Sequence, residues 1–213
     1  MNPSLSVDSG FDLIYHDDFL LVANKPAGLL AVPGRGADKQ DCLSSRVQKE
    51  FPDALIVHRL DMATSGLILF ARGMGMQSNL SRLFRERMVT KRYVAIVTGK
   101  LEFSEGEVNL PLTADWPNRP RQKVDTQLGK LSLTRYRILQ HDAITNTTRL
   151  ELEPVTGRTH QLRVHMAAIG HPILGDALYG ENASGRLLLH ACSLCFAHPC
   201  SNEILSLENS PPF

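Results

Sequence analysis

Long apolar runs are missing from this sequence: no stretch approaches the roughly 20 consecutive apolar residues that a transmembrane helix requires. The first residues, MNPSLSVDSGFDLIY, also lack the basic stretch and the apolar segment of a secretory leader. An excess of one charge is missing too, because the formal net charge is +1, so any nucleic-acid partner has to be argued from where the basic residues lie. We therefore expect a cytoplasmic protein with no membrane partner.

Cysteine is scarce, with four in 213 residues, which argues against a disulfide framework. Three of them, Cys192, Cys195 and Cys200, nevertheless lie in HACSLCFAHPC beside His190 and His198, a grouping that could hold zinc. No second ligand pair occurs at zinc-finger spacing, and RLLLHACSLCFAHP alternates like a buried strand in which cysteine is a small apolar residue. We therefore predict no metal site.

Tryptophan is almost absent, with a single residue, but 43% apolar and 21% charged residues are typical of a soluble globular protein. A chain of 213 residues fits one ordinary domain. No repeat, linker or low-complexity tract divides the sequence, so we predict one domain over residues 1–213 with its core over about 11–200.

Alternating apolar residues predict strands, and apolar residues at helical spacing predict helices. One helix is expected to begin after Asp41, a suitable N-cap residue, and to end before Pro52. The pattern as a whole predicts an α+β fold with a mixed, mostly antiparallel sheet flanked by helices and loops. The remaining predicted elements are two strands in 11–24, strands at 65–72, 91–99, 106–113, 131–140, 147–154 and 186–199, and helices at 75–88 and 159–170.

Basic residues concentrate in three segments: SRLFRERMVTKRY (81–93), DWPNRPRQKV (115–124) and GRTHQLRVHM (157–166). Arginine with interleaved aromatic residues suits phosphate contacts and base stacking on RNA that is not a regular duplex. The alternative for each segment is a solvated helix face or loop. Three such segments in one chain favour a shared RNA-binding surface.

The stretch IVHRLDMATSGLILFAR, residues 56–72, places Asp61 just before an apolar strand. A carboxylate at such an edge needs a cationic partner to offset its desolvation. Both Arg59 and Arg163 could supply it, and spacing does not choose between them. Asp61 could act as a nucleophile, a general base or one half of a structural ion pair. A metal-binding role lacks a second ligand nearby, and a serine or cysteine nucleophile lacks a nucleophile-elbow pattern.

Several motifs resemble those of the RluA-type pseudouridine synthases. HRLDMATSGLILFAR is similar to the catalytic motif of that family, and NKPAGLLAVPG, KRYVAIVTG and GRTHQLRVHMAAIGHPILGDALYG are similar to its other motifs in the same order. DWPNRPRQKV also resembles a segment of the RluA subgroup. The matches span about residues 13 to 200, and several ordered motifs are far more specific than one.

The resemblance implies isomerisation of uridine to pseudouridine, with no cofactor or metal. It makes Asp61 the catalytic aspartate, Tyr93 the residue that stacks on the target base and Arg163 the partner of the aspartate. It makes Arg59 the residue that enters the RNA stack when the uridine flips out. The further predicted RNA-binding residues are Lys25, Arg119, Arg121, Lys123, Arg158, His160 and Gln161.

The resemblance also implies a substrate: a stem-loop of large-subunit ribosomal RNA, the anticodon arm of tRNA, or both. Too few residues precede the first predicted strand for the S4-type RNA-binding domain that some members carry, so the catalytic domain itself is expected to select the RNA. We expect a monomer with no obligatory protein partner. Two alternatives remain, a catalytically silent RNA chaperone on the same fold and a zinc-dependent hydrolase that uses the Cys/His cluster.

Overall fold

A computed structural model describes residues 10–180 and 185–213, so residues 1–9, where we noted no leader, lie outside it. Its strands are β1 Asp12–His16, β2 Leu20–Lys25, β3 Ala54–Ile56, β4 Ser65–Arg72, β5 Thr90–Thr98, β6 Glu105–Asn109, β7 Leu112–Ala114, β8 Gln122–Val124, β9 Leu133–Asp142, β10 Thr147–Pro154, β11 Leu189–Ala197 and β12 Ile204–Glu208. Its helices are α1 Leu43–Glu50, α2 Met74–Arg85 and α3 Gln161–Ala168.

One sheet of ten strands dominates the fold, in the order β1-β2-β4-β11-β5-β10-β9-β6, with β12 beside β11 and β3 beside β4. β4 and β11 run parallel, and the other paired strands run antiparallel. β7 and β8 form a separate antiparallel hairpin. The predicted α+β fold with a mixed, mostly antiparallel sheet is confirmed.

β4 lies at the centre of the core because its sequence, SGLILFAR, is apolar on both faces. Leu67 and Leu69 pack against α2, and Ile68 and Phe70 pack against α1 on the other side. β10 instead alternates buried and partly exposed residues, so only one of its faces packs against α3. Among the described residues, no helix is long and apolar enough to cross a membrane.

Gly66 allows β4 to lie directly against β11. Its φ of +117° is a conformation that side-chain-bearing residues rarely adopt. A Cβ atom at this position would overlap the Ala191 carbonyl oxygen and lie 2.5 Å from the Ala191 nitrogen. The parallel pairing that holds the middle of the sheet together therefore requires glycine here.

Local details differ from the predictions. The N-cap of α1 is Cys42 rather than Asp41, because Cys42 and Ser45 exchange hydrogen bonds in a capping box. α2 ends three residues earlier than predicted, since Arg87 has a left-handed φ of 60° that stops the helix. The predicted strand 106–113 is two strands, interrupted at Pro111, which has no N–H to donate. The short strands β3, β8 and β12 were not predicted.

Candidate active site

Asp61 lies in the loop between β3 and β4, and the Met62 carbonyl that follows it is held by two donors. It accepts from the Gly28 backbone N–H at 2.8 Å and from Lys25 Nζ at 3.0 Å. Lys25 is fully buried and also donates to two carbonyls just after it in the chain. Burial lowers the pKa of Lys25 to about 8, although the Asp61 charge opposes the shift. The Asp61 loop is thereby tied to the end of β2.

His58 anchors the start of the same loop. Its Nε2 accepts from the Leu69 backbone N–H at 2.9 Å, and its ring stacks on Phe84 with centroids 4.5 Å apart. Burial, and then the charge of Lys91, lowers the pKa of His58 to about 3. The ring stays neutral, so its Nε2 lone pair remains available, and this histidine orients the loop that carries Asp61.

A cavity of about 550 Å³ opens above the loop, and Asp61 is the one carboxylate among the described residues that line it. Cationic side chains from three stretches of the chain, at 59, 85–91 and 158–163, line the same cavity. A wall of this charge suits a polyanionic ligand. The cationic lining residues are Arg59, Arg85, Arg87, Lys91, Arg158 and Arg163.

Arg163 lies between two carboxylates. Its Nε and Nη2 contact Asp176 Oδ2 and Oδ1 at 2.7 and 2.6 Å, a bidentate pair. Its Nη1 lies 3.5 Å from Asp61 Oδ2. Arg163 is 5% exposed and Asp176 is fully buried, whereas the Asp61 side chain is 28% exposed. Spacing left Arg59 and Arg163 as candidate partners, and the structure brings Arg163 to Asp61 but gives its stronger contact to Asp176.

Arg163 and Asp176 each stabilise the charged form of the other. Burial acts to raise the pKa of Asp176, but the hydrogen bonds and charge of Arg163 outweigh it and the pKa is lowered. Burial likewise acts to lower the pKa of Arg163, and the two carboxylates raise it overall. Arg163 is therefore a permanent cation beside Asp61.

His160 approaches Asp61 from the start of α3. Its backbone is left-handed, with a φ of 53°, and its Nε2 lies 3.8 Å from Asp61 Oδ2. On the other side of the ring, Nδ1 lies 2.8 Å from the Tyr179 hydroxyl. Burial lowers the pKa of His160 although the Asp61 charge opposes this. The imidazole is therefore neutral at pH 7.

Tyr93, in β5, lines the same cavity. Burial, and then the negative charge of Asp61, raises the pKa of Tyr93 above its usual range. The phenol is therefore uncharged at neutral pH. A neutral aromatic ring beside a carboxylate gives the cavity a surface on which a flat base can stack.

Comparison with known proteins places this site in a family. A family profile described as RNA pseudouridylate synthase matches residues 19–168. The dual-specificity RNA pseudouridine synthase RluA of Vibrio cholerae is 50% identical over 204 residues, covering 94% of this chain and 82% of that protein. The protein of the same name from Escherichia coli K12 is 47% identical over 205 residues, covering 94% and 93%. The chain belongs to the RluA-type pseudouridine synthase family.

Two solved structures of human RNA pseudouridylate synthase domain proteins have the same fold. Human RNA Pseudouridylate Synthase Domain Containing 1 superposes with a TM-score of 0.80 at 29% identity, covering all of this chain and 87% of the other. Human RNA Pseudouridylate Synthase Domain Containing 4 gives 0.78 at 25% identity, covering 94% and 88%. Membership of a pseudouridine synthase family makes the chain an isomerase.

Six of the predicted RNA-binding residues of this pseudouridine synthase fall into two groups. Arg59, Arg158 and His160 line the cavity around Asp61. The others belong to the β7–β8 hairpin, outside the cavity lining: Arg119, Arg121 and Lys123. At the hairpin tip, the Arg119 guanidinium lies 3.2 Å from the centroid of the Trp116 ring, and that ring is 67% exposed.

The other two predicted RNA-binding residues, Lys25 and Gln161, are buried. Lys25 is fully buried, and its ammonium group donates to three backbone carbonyls. Gln161 is 3% exposed, and its amide bonds to Thr156, Arg158, Leu133 and Thr134. Both side chains support the loops of the site, and Gln161 also lines the cavity. RNA binding by either residue stays a prediction.

Asp176 and Tyr179 complete the site, and neither residue was predicted from the sequence. Both lie in GDALYG, within the last motif that resembles the family. A buried arginine normally requires a full carboxylate partner, so the aspartate of this motif could have been proposed as that partner.

The Cys/His cluster does not assemble as a metal site in the part of the chain that the structure describes, where no three His, Cys, Asp or Glu side chains are grouped to hold an ion. His190 bonds instead to Ser65 Oγ through Nδ1 and to Asn209 Oδ1 through Nε2, both at 2.9 Å. His190 is 1% exposed and Ser65 3%. Both ring nitrogens of His190 therefore already have hydrogen-bond partners.

Proposed function

We propose that this chain converts specific uridines to pseudouridine in stem-loops of large-subunit ribosomal RNA, of the tRNA anticodon arm, or of both. The relatives named dual-specificity RNA pseudouridine synthases support more than one kind of RNA target. The observation that carries the proposal is the isolated carboxylate of Asp61, which lies in a cavity otherwise lined by cationic and neutral side chains. We further propose that the protein acts as a cytoplasmic monomer.

The reaction needs an ionised carboxylate next to the ribose of the target nucleotide. The C1′–N1 bond breaks, the uracil turns, C5 bonds to C1′, and the hydrogen of C5 leaves as a proton while N1 gains one. Asp61 attacks C1′ as a nucleophile or removes a sugar proton, and Arg163 at 3.5 Å stabilises its anionic form in either route.

The target base must leave the RNA stack before it can reach Asp61. Arg59 is exposed and lines the mouth of the cavity, a position from which it can fill the space that the flipped base leaves. Tyr93 offers the ring on which the base stacks, and the other cationic lining residues bind flanking phosphates. The exposed hairpin, with Lys123 and the stacked Arg119–Trp116 pair, contacts RNA further from the target.

Tritium release tests the proposal. RNA labelled at uracil C5 is supplied as large-subunit rRNA and as tRNA in separate reactions, with wild type and Asp61→Asn side by side. Wild type releases tritium from at least one RNA, and Asp61→Asn releases none while its Kd for that RNA is unchanged. Tight RNA binding by wild type with no release would overturn the proposal and favour the RNA chaperone.

The hairpin contribution is measured as the salt dependence of RNA binding. Lys123→Ala weakens binding and lowers the slope of log Kd against log salt by about 0.7, the value for one single-strand phosphate contact. Lys49→Ala, an exposed lysine on α1 away from the cavity lining, is the matched control and leaves the slope unchanged. Equal slopes for the two variants would remove the hairpin from the RNA-binding surface.

A further inference from the structure

The β7–β8 hairpin is attached to the active site through Tyr179. The Gln122 backbone N–H, in β8, donates to the Tyr179 hydroxyl at 2.8 Å. The neighbouring Arg121 donates to the Leu178 carbonyl, and its guanidinium lies 5.8 Å from the Tyr179 ring centroid. The segment expected to touch RNA and the residue that touches His160 are therefore in direct contact.

The direction of each hydrogen bond in this chain of contacts can be assigned. A backbone N–H can only donate, so Gln122 uses a lone pair of the Tyr179 oxygen. The Tyr179 O–H is then free to donate to His160 Nδ1 at 2.8 Å. The opposite arrangement would place the proton on Nδ1 and a lone pair of Nε2 against the Asp61 carboxylate, 3.8 Å away, which is repulsive. His160 therefore carries its proton on Nε2, facing Asp61.

We propose that Tyr179 and His160 are positioning residues that connect the β7–β8 hairpin to Asp61, so that a correctly bound hairpin keeps the His160 Nε2–H directed at the carboxylate. The proposal rests on the proposed function of Asp61. The hairpin then has a second role besides RNA affinity. RNA bound to β8 stabilises the Gln122 N–H donor, which holds Tyr179 and, through it, His160 in position.

The charges around His160 come from every element packed against it. The loop before β4 contributes Asp61 and Arg59, α3 contributes Arg163, and the turn after it contributes Asp176. Beyond Tyr179 lies Arg121, on the hairpin. Burial dominates and keeps the ring neutral, and the Tyr179 hydroxyl adds to this by donating to the unprotonated Nδ1. Loss of that hydroxyl favours the imidazolium, which would bind Asp61 directly and compete with its reaction.

Tyr179→Phe tests the connection through the pH profile of single-turnover tritium release. The variant loses about tenfold in rate at pH 6 and less than about threefold at pH 8, as one lost hydrogen bond allows, while its Kd for RNA stays within about twofold. His160→Gln keeps an N–H at the Nε2 position and cannot titrate, so Tyr179→Phe in that background leaves the profile unchanged. Tyr136→Phe, at a partly buried tyrosine on β9 outside the cavity lining, is the matched control with a wild-type profile.

A parallel drop at every pH, or weaker RNA binding with an unchanged rate, would overturn the proposal. Imidazole ¹⁵N shifts of wild type, with His160 assigned by comparison with His160→Gln, test it independently of whether Tyr179→Phe folds. A proton on Nε2 supports the connection, and a proton on Nδ1 overturns it. Because these shifts need no turnover, wild type that releases no tritium would refute the function of Asp61 while leaving the tautomer measurable.

Discussion

Asp176→Asn removes the charge that neutralises Arg163. The substituted amide keeps one oxygen, which can still accept from Arg163 Nη2 and from the backbone N–H groups of Leu178 and Tyr179, as Asp176 Oδ1 does. The other oxygen becomes an NH₂ group opposite Arg163 Nε, where the native contact is 2.7 Å. Two donors then face each other, and a buried guanidinium is left with Asp61 at 3.5 Å as its nearest carboxylate.

Breaking a buried ion pair by removing one partner costs about 3–5 kcal/mol, and the retained oxygen places this substitution near the lower value, about 3 kcal/mol. For a domain of this size that corresponds to a fall in Tm of about 6–12 °C. The difference in stability between wild type and Asp176→Asn becomes smaller in acid. The pKa of Asp176 is lowered in the folded protein, so its contribution is complete above the unfolded pKa of about 3.9 and is lost as pH falls through the folded value.

Urea and thermal unfolding at pH 7 and at a series of pH values below about 3.9 measure this, with single-turnover tritium release on the pH 7 samples. Glu107→Gln is the matched control, because Glu107 also pairs with an arginine, Arg135, at 2.8 Å, but both side chains are more than half exposed. It leaves the Tm unchanged. Asp176→Asn should also release tritium more slowly, since Arg163 loses the contact that fixes it beside Asp61. A Tm within about 2 °C of wild type would refute the central role of the pair.

Two further predictions test the backbone around the site. Gly66→Ala forces β4 and β11 apart and yields insoluble or unfolded protein. Gly75→Ala is the control, because nothing lies within 4 Å of the added Cβ, and it raises or preserves the Tm. A soluble Gly66→Ala variant with the Tm of wild type would contradict the close approach of the two strands. Lys25 has a pKa of about 8 when folded against 10.5 for the ordinary side chain, so the unfolded chain binds more protons between these values. The free energy of unfolding of wild type relative to Lys25→Met, measured by urea titration, should therefore rise between pH 8 and 10.5. If this difference does not change with pH, the Lys25 ammonium group is exposed to water.

Local sequence patterns predicted most of the fold. The first hairpin, β4, β5, β10 and α3 follow from apolar periodicity within a few residues of their observed bounds. The errors occur where a boundary depends on a contact rather than on a pattern, as at Cys42 and Arg87. β3 and β8 have three residues each, too few to show a period.

The site was predicted less completely because its contacts are distant in sequence. The resemblance to the family selected Asp61, Tyr93 and Arg163, and the structure lines one cavity with all three. Nothing in the residues around Lys25 indicated that its ammonium would be enclosed by carbonyls, one of them 37 positions away. Lysine in a motif suggests a phosphate ligand as readily as a buried donor, so only the folded structure could separate the two.

The arrangement of two carboxylates around one arginine places a fixed cation beside Asp61 without a bidentate contact to its oxygens. A bidentate pair between Arg163 and Asp61 would occupy the carboxylate oxygens with strong hydrogen bonds and weaken them as nucleophile or base. Asp176 takes that bidentate contact at 2.6 and 2.7 Å instead, deep in the protein, and fixes the guanidinium. Asp61 receives only a contact of 3.5 Å. A fixed cation therefore lies next to Asp61, and Asp61 still lines the cavity where the proposed substrate binds.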